Sequence, residues 1–154
     1  MTIRPYIPTD LGSLLALIKA AFKEHEGVVD PPPSAKSKTL ALLQEELRDF
    51  EALVMEDEGR LIGCVFYKPR EAGLYLGRLS VLPEMRGRGL ASLLVERVEA
   101  EARARNLPYL SLNVRLALTN QQAIYQHWGF EKTGYGTHEG YSKPTFLRMR
   151  KDLQ

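Results

Sequence analysis

One cysteine, Cys64, stands in the whole chain of 154 residues. A single thiol excludes an internal disulfide and fits a reducing compartment. It lies in the apolar run Leu61 to Tyr67, where a free cysteine serves as a small core residue rather than a nucleophile. Charge of either sign is not in surplus: 21 Lys and Arg against 19 Asp and Glu leave +2. That field is too weak to argue for nucleic acid or an anionic membrane surface. No stretch approaches the ~20 apolar residues that span a bilayer. Met1 to Pro5 carries no apolar secretory core. These absences predict a cytoplasmic protein with no nucleic-acid or membrane partner. Two phosphate-binding signatures are also missing. No Gly-Lys-Ser/Thr follows a glycine-rich loop, and Gly87-Arg88-Gly89-Leu90-Ala91 runs into Ser92 where a dinucleotide fold needs a third glycine.

What the chain has is a strand, a tight turn and a helix around that segment. Leu79-Ser80-Val81 ends an apolar run, and Leu90, Leu93, Leu94 and Val98 form one face of a following helix. First-turn amides of a helix lack internal partners, and the dipole favours an anion there. Gly87 and Gly89 let a phosphate approach the backbone. Arg86 and Arg88 add fixed charge. A tight turn with solvated arginines is the plainer alternative.

The remaining periodicity sketches an α/β chain that fits one domain, residues 1–154. Ile3 to Tyr6 is a short edge strand. Thr9 or Asp10 caps a helix with Leu11, Leu14, Leu15, Ile18 and Phe22 on its stripe. Lys23 to Lys38 contains Pro31-Pro32-Pro33 and is read as an ordered or lid-like loop. Ser37 to Arg48 is a second helix with Leu40, Leu43 and Leu47 inward. Strands at Ala52 to Glu56 and Arg60 to Tyr67 meet at Asp57-Glu58-Gly59. Lys68 to Ala72 turns into a strand at Gly73 to Val81. A long helix from Gly89 to Asn106 carries the i,i+4 pairs Glu99–Arg103 and Glu101–Arg105 on its wet face. Tyr109 to Val114 is a strand and Asn120 to Trp128 a short helix. Phe130 to Tyr135 and Thr145 to Arg150 close the chain as strands.

Arg86-Gly87-Arg88-Gly89-Leu90-Ala91 resembles the Arg/Gln-x-x-Gly-x-Gly/Ala signature of the GNAT acetyltransferase family. Asn120 through Ala123-Ile124-Tyr125 to Gly129-Phe130 is similar to that family's second motif, and the order of elements matches over the whole chain. The resemblance implies a mixed, mostly antiparallel sheet of six to seven strands flanked by about four helices. It implies acetyl transfer from acetyl-coenzyme A to a primary amine of a small molecule or protein, with no metal. The amides of Gly87, Arg88, Gly89, Leu90 and Ala91 would hold the pyrophosphate, with Arg86 ordering the loop. Leu79, Ser80 and Val81 would flank the pantetheine arm, with an N–H near Leu79 polarising the thioester carbonyl. Asn120 stands closer to Tyr125 than in many members, which leaves Asn120 or Gln121 for a coenzyme contact. Dimers are common in the family, so the reading is compatible with a homodimer.

Tyr125 is the candidate general acid facing the departing sulfur; a core tyrosine beside Trp128 and Phe130 is the alternative. No base is evident. Many relatives carry a glutamate in the strand before the loop, but Tyr75 to Ser80 holds no carboxylate, and Glu84 lies past the strand end. A weakly basic α-amine, with pKa near ~7.8, needs only about 1 kcal/mol to lose its proton at pH 7. Candidate acceptor groups sit on two loops: His25, Glu26 and Asp30 on the first, His138, Glu139 and Tyr141 on the second. Together they predict an acidic, aromatic mouth for a small cationic amine. Two rivals remain: a coenzyme A sensor without turnover, and a small nucleic-acid-binding domain using Arg86, Arg88 and the helix arginines, which interleaved glutamates oppose.

Overall fold

The computed structural model describes Met1 to Leu153. Its strands are β1 (Thr2–Pro5), β2 (Glu51–Asp57), β3 (Arg60–Arg70), β4 (Gly73–Val81), β5 (Tyr109–Arg115), β6 (Glu131–Gly136) and β7 (Phe146–Asp152). Its helices are α1 (Leu11–Phe22), α2 (Leu40–Asp49), α3 (Leu90–Ala104) and α4 (Thr119–His127). The strands form one mixed sheet in the order β1-β2-β3-β4-β5-β7-β6. Only β4 and β5 run parallel; the other neighbours are antiparallel. The expected α/β architecture is therefore present. Among the described residues no helix is long and apolar enough to cross a membrane.

Every residue from Leu61 to Tyr67 is buried, so both faces of β3 are covered. Helices α1 and α3 both pack on β3 and β4. Cys64 lies in this core, wholly inaccessible, and burial pushes its thiol up to about 12. It is a core residue. Gly63 permits the close approach of α3: a Cβ there would stand 3.2 Å from Leu94 Cδ1 and 3.1 Å from the Ser80 carbonyl oxygen.

Several element boundaries and faces differ from the sequence reading. Leu40 and Leu93 are exposed rather than inward; the buried stripe of α3 is Leu90, Leu94, Val95, Val98 and Ala102. Residues 34–37 form a separate 3-10 turn, and α2 starts later because Thr39 caps it, its Oγ1 accepting from Leu42 N at 3.2 Å. Strand β3 runs on to Arg70, leaving a turn of two residues with Glu71 at φ 55°. Asp10 stands at the N-cap position of α1, as expected, but its side chain makes no capping bond to that helix. It closes the 3-10 turn Pro8–Asp10 instead, accepting from Ile7 N at 2.9 Å.

The Asp10 carboxylate also receives both ends of the Arg4 guanidinium, at 2.8 and 2.9 Å, and is buried. These Arg4 bonds hold its pKa below the ordinary value, against the opposing effect of burial. The linkage follows from that sign. Stabilisation is complete above the unfolded carboxylate pKa of about 3.9 and is lost as pH falls through the lower folded value. Asp10→Asn is expected to cost about 1.5–3 kcal/mol at pH 7, the worth of hydrogen bonds to a charged group. Urea unfolding checks this, and the gap between wild type and variant should shrink below about pH 4.

Candidate active site

The site begins where β4 ends. A 3-10 turn, Pro83–Met85, redirects the chain, and Gly89 enters α3 as its N-cap in the left-handed region, φ 74°. Gly87 is also left-handed, φ 82°. L-residues with a Cβ rarely adopt this conformation, which is the local reason for two glycines. The first intrahelical bond runs from Leu93 N to Gly89 O at 3.2 Å. The amides of Leu90, Ala91 and Ser92 therefore precede the helical ladder and are available to an anion. Arg86 does not project freely. Its guanidinium donates to Glu24 at 2.6 Å and to the Ala21 carbonyl at 3.1 Å, tying the turn to the end of α1.

The sheet opens beside this turn. Strands β4 and β5 pair only at Leu74–Leu110 and Tyr75–Ser111, then diverge. A bulge accompanies the divergence: Phe66 pairs with Gly77 and Cys64 with Ser80, so Arg78 and Leu79 oppose a single residue, Val65. Arg78 takes φ 52° there. Its carbonyl accepts from Ser80 Oγ at 2.9 Å and Cys64 Sγ at 3.4 Å. Bulges bend a strand and re-aim its groups. The resulting cavity of about 1000 Å³ extends from Gly87 and Gly89 along Leu79, Ser80 and Val81 to Tyr125, His25 and His138.

The model for the acetyltransferase (GNAT) family matches residues 15–130. The chain belongs to the GNAT acetyltransferase family. Among curated proteins it is 33% identical over 129 residues to an amino-acid acetyltransferase of Pseudomonas putida (strain GB-1), covering 82% of this chain and 25% of that protein. The chain thus spans about a quarter of the length of the curated relatives it matches. Among solved structures it is similar to the PaiA N-acetyltransferase from Thermoplasma acidophilum in complex with coenzyme A (TM-score 0.79, 18% identity, 99% of this chain and 100% of that one). It is also similar to a ribosomal-protein-alanine N-acetyltransferase from Brucella melitensis (TM-score 0.69, 24% identity, 99% and 100%). At these identities the two structures show a shared fold.

Within this GNAT fold, the expected coenzyme residues Leu79, Ser80, Val81, Arg86, Gly87, Gly89, Leu90, Ala91 and Asn120 all border the one cavity; Arg88 stands exposed beside it. Gln121 borders it as well and faces His25, with Nε2 to Nε2 at 3.4 Å. Both Asn120 and Gln121 therefore line the cavity. Tyr125 lines the cavity too. Its ring meets Trp128 edge-on at 5.7 Å and Phe130 at 6.1 Å between centroids, and burial pushes its phenol up to about 12.

The acceptor candidates divide. His25 and His138 border the cavity, and burial holds both imidazoles below their ordinary pKa, hence neutral at pH 7. His138 Nδ1 meets Thr145 Oγ1, which also accepts from His138 N at 2.9 Å. Asp30 and Tyr141 are not in the lining but join the two loops through the Tyr141 hydroxyl and the Asp30 carboxylate. Glu26 and Glu139 are exposed outside the lining. The expected acidic mouth is therefore absent: the ionised lining residues are Arg78, Arg86 and Arg115 against Glu24 and Glu46. Glu84 pairs with Arg60 in solvent, as its place past the strand suggests. Among the described residues no group of three or more potential ligands is placed to hold a metal.

Three lining residues escaped the sequence reading. Glu46 reaches the cavity from α2 and accepts from Arg78 at 2.9 and 3.1 Å and from Lys38 at 2.6 Å. Burial alone would raise its pKa; the Arg78 and Lys38 bonds outweigh it and hold the carboxylate ionised. A signal was present, because Glu46 shares the inner stripe of α2 with Leu43 and Leu47, an odd place for an unpaired charge. Arg78 and Arg115 gave no such signal.

Proposed function

We propose that this chain transfers the acetyl group of acetyl-coenzyme A to a primary amine by direct attack. The observation carrying the reading is the continuity of one cavity from the left-handed glycine turn, through the divergence of β4 and β5, to Tyr125. The amides from Gly87 to Ala91 would hold the pyrophosphate, and Arg86 acts by fixing the turn. The bulged segment at Leu79 would present an N–H to the thioester carbonyl. The neutral amine's lone pair attacks the carbonyl carbon, the oxyanion forms against that N–H, the nitrogen gives a proton to water, and collapse of the oxyanion breaks the C–S bond and releases the thiolate. Tyr125 donates a hydrogen bond to the leaving sulfur. Because Glu46 is held by two cations, it is a poor proton acceptor, which favours an amine of low basicity.

Residues 1–154 act as a single catalytic domain in this reading. It calls for no metal, nucleic acid or membrane, suits the cytoplasm and is compatible with a homodimer. The names of similar proteins offer two acceptor kinds, an amino acid and an alanine of a ribosomal protein. One alternative has an observation behind it. With Glu46 locked in ion pairs, a coenzyme A sensor without turnover would need no base. Release of coenzyme A from acetyl-coenzyme A across an amine panel separates the two. Amine-dependent release with a matching acetylated product is expected; tight coenzyme binding with no release over the panel would establish the sensor.

A further inference from the structure

Arg115 ends β5 and lines the cavity at its acceptor end. The other two arginines of the lining are matched by carboxylates, Arg78 by Glu46 and Arg86 by Glu24. Among the described residues Arg115 has no such partner. It donates to two backbone carbonyls of the proline loop, Nη1 to Pro31 at 2.6 Å and Nη2 to Pro32 at 3.4 Å. A guanidinium carries five N–H donors, so the rest of the fork is left over. The nearby acid, Asp30, accepts from the Tyr141 hydroxyl and favours the Arg115 charge from a distance, without a direct ion pair. Burial lowers the pKa of Arg115, meaning that its positive charge is held at a cost. His25, buried, and His138, half-buried, share the lining; both are neutral, and the Arg115 charge further opposes their protonation. The acceptor end thus presents one arginine with no direct ion pair, beside two neutral imidazoles.

We infer that Arg115 receives the carboxylate of the acceptor, which is a free amino acid rather than a protein N-terminus or a simple cationic amine. This rests on the acetyl-transfer reading of the same cavity. A planar fork matches a carboxylate in two parallel bonds, and the ligand would supply the direct ion pair that no carboxylate of the protein makes. The α-carboxylate argues for the free amino acid. The proline loop is drawn over Arg115 by the Pro31 and Pro32 bonds, and Tyr141 of the second loop is tied to Asp30 of the first. A continuing polypeptide lacks the α-carboxylate that the fork would take.

The test uses coenzyme A-loaded protein and calorimetry, so that binding is read apart from turnover. The probes are free L-amino acids, their α-carboxamides, and tripeptide amides with the same N-terminal residues. Wild type is expected to bind its preferred amino acid ~10- to 100-fold more tightly than the carboxamide, the usual worth of a charge-assisted bidentate contact. Arg115→Gln should abolish that preference and leave coenzyme affinity unchanged. Arg115→Lys, which keeps the charge without the fork, should restore part of it. Equal affinity of wild type for acid and carboxamide overturns the inference without any variant. Equal weakening of both by Arg115→Gln also overturns it, since Arg115 would then only tie the loop. Tripeptide amides binding as well as amino acids overturn it in favour of a protein acceptor. An acid preference that depends on Arg115, with no acetylated product, would uphold the carboxylate site and reject the transferase reading.

Discussion

Replacing Tyr125 by phenylalanine is expected to lower kcat by at least about tenfold and to leave the fold intact; positioned acids of this kind contribute about 10²–10⁴-fold. The ring stays, so its edge contacts with Trp128 and Phe130 survive. Only the hydroxyl is lost, and a water can replace part of its effect. With the phenol at about 12 and a reference thiol at ~8.5, complete proton transfer to the sulfur is uphill by about 5 kcal/mol. The hydroxyl therefore acts by a hydrogen bond that strengthens as the sulfur gains charge. Its removal should depress kcat more than it raises KM for acetyl-coenzyme A. The same phenol value sets the pH profile. Ionisation of Tyr125 falls at about 12, so it places no alkaline limb between pH 6 and 10. The acid limb belongs to the amine or its base and should persist in the variant. Steady-state kinetics with a well-matched acceptor over that range checks both statements. Full kcat in Tyr125→Phe would remove the residue from the chemistry.

Coenzyme affinity is expected to fall by about a hundredfold in Gly89→Val. The space around Gly89 is open: a Cβ there meets nothing within 4 Å, so no steric clash forces unfolding. The penalty comes from the backbone. A left-handed conformation costs an L-residue roughly 1–2 kcal/mol, and β-branching adds to this. A turn that relaxes out of φ 74° no longer aims its amides together, and each charge-assisted bond lost is worth about 1.5–3 kcal/mol. At 1.4 kcal/mol per factor of ten, the loss of one or two such bonds gives the stated effect of about a hundredfold. Arg86→Ala should weaken binding less, because Arg86 spends its donors on Glu24 and Ala21. Calorimetry with coenzyme A, alongside the melting temperature of the unliganded variant, tests this. Unchanged affinity in a folded Gly89→Val protein would reject the pyrophosphate assignment.

Local pattern made much of the fold legible. A glycine-rich turn between an apolar strand and a long apolar stripe has few other uses, and the order of elements around it was readable from periodicity. The errors have local causes. Leu93 and Leu40 were counted inward because leucine is apolar, yet both lie on the solvent side of their helices, where single exposed leucines are ordinary. The later start of α2 was set by one side-chain cap, Thr39.

The acceptor end was least legible because its residues meet only through tertiary structure. Glu46, Arg78 and Lys38 come from a helix, a bulged strand and a loop end, and no spacing along the chain brings them together. The bulge itself is set by pairing across β3 and β4, which a strand pattern of period two does not encode. Arg115 looked like one more arginine after an apolar strand. Its interest lies in the absence of a direct ion pair, and that is a property of the folded surroundings.

The sealed thiol of Cys64 has a practical corollary at the bench. Only thiolates attack an aromatic disulfide, and this sulfur is both unreachable and held almost wholly protonated at neutral pH. A colorimetric thiol reagent added to the folded enzyme will therefore count liberated coenzyme alone, with no background from the protein. In the absence of substrate, the same reagent becomes a clock. Colour can develop only when β3 parts from the core, so its rate reports how often the centre of the sheet opens.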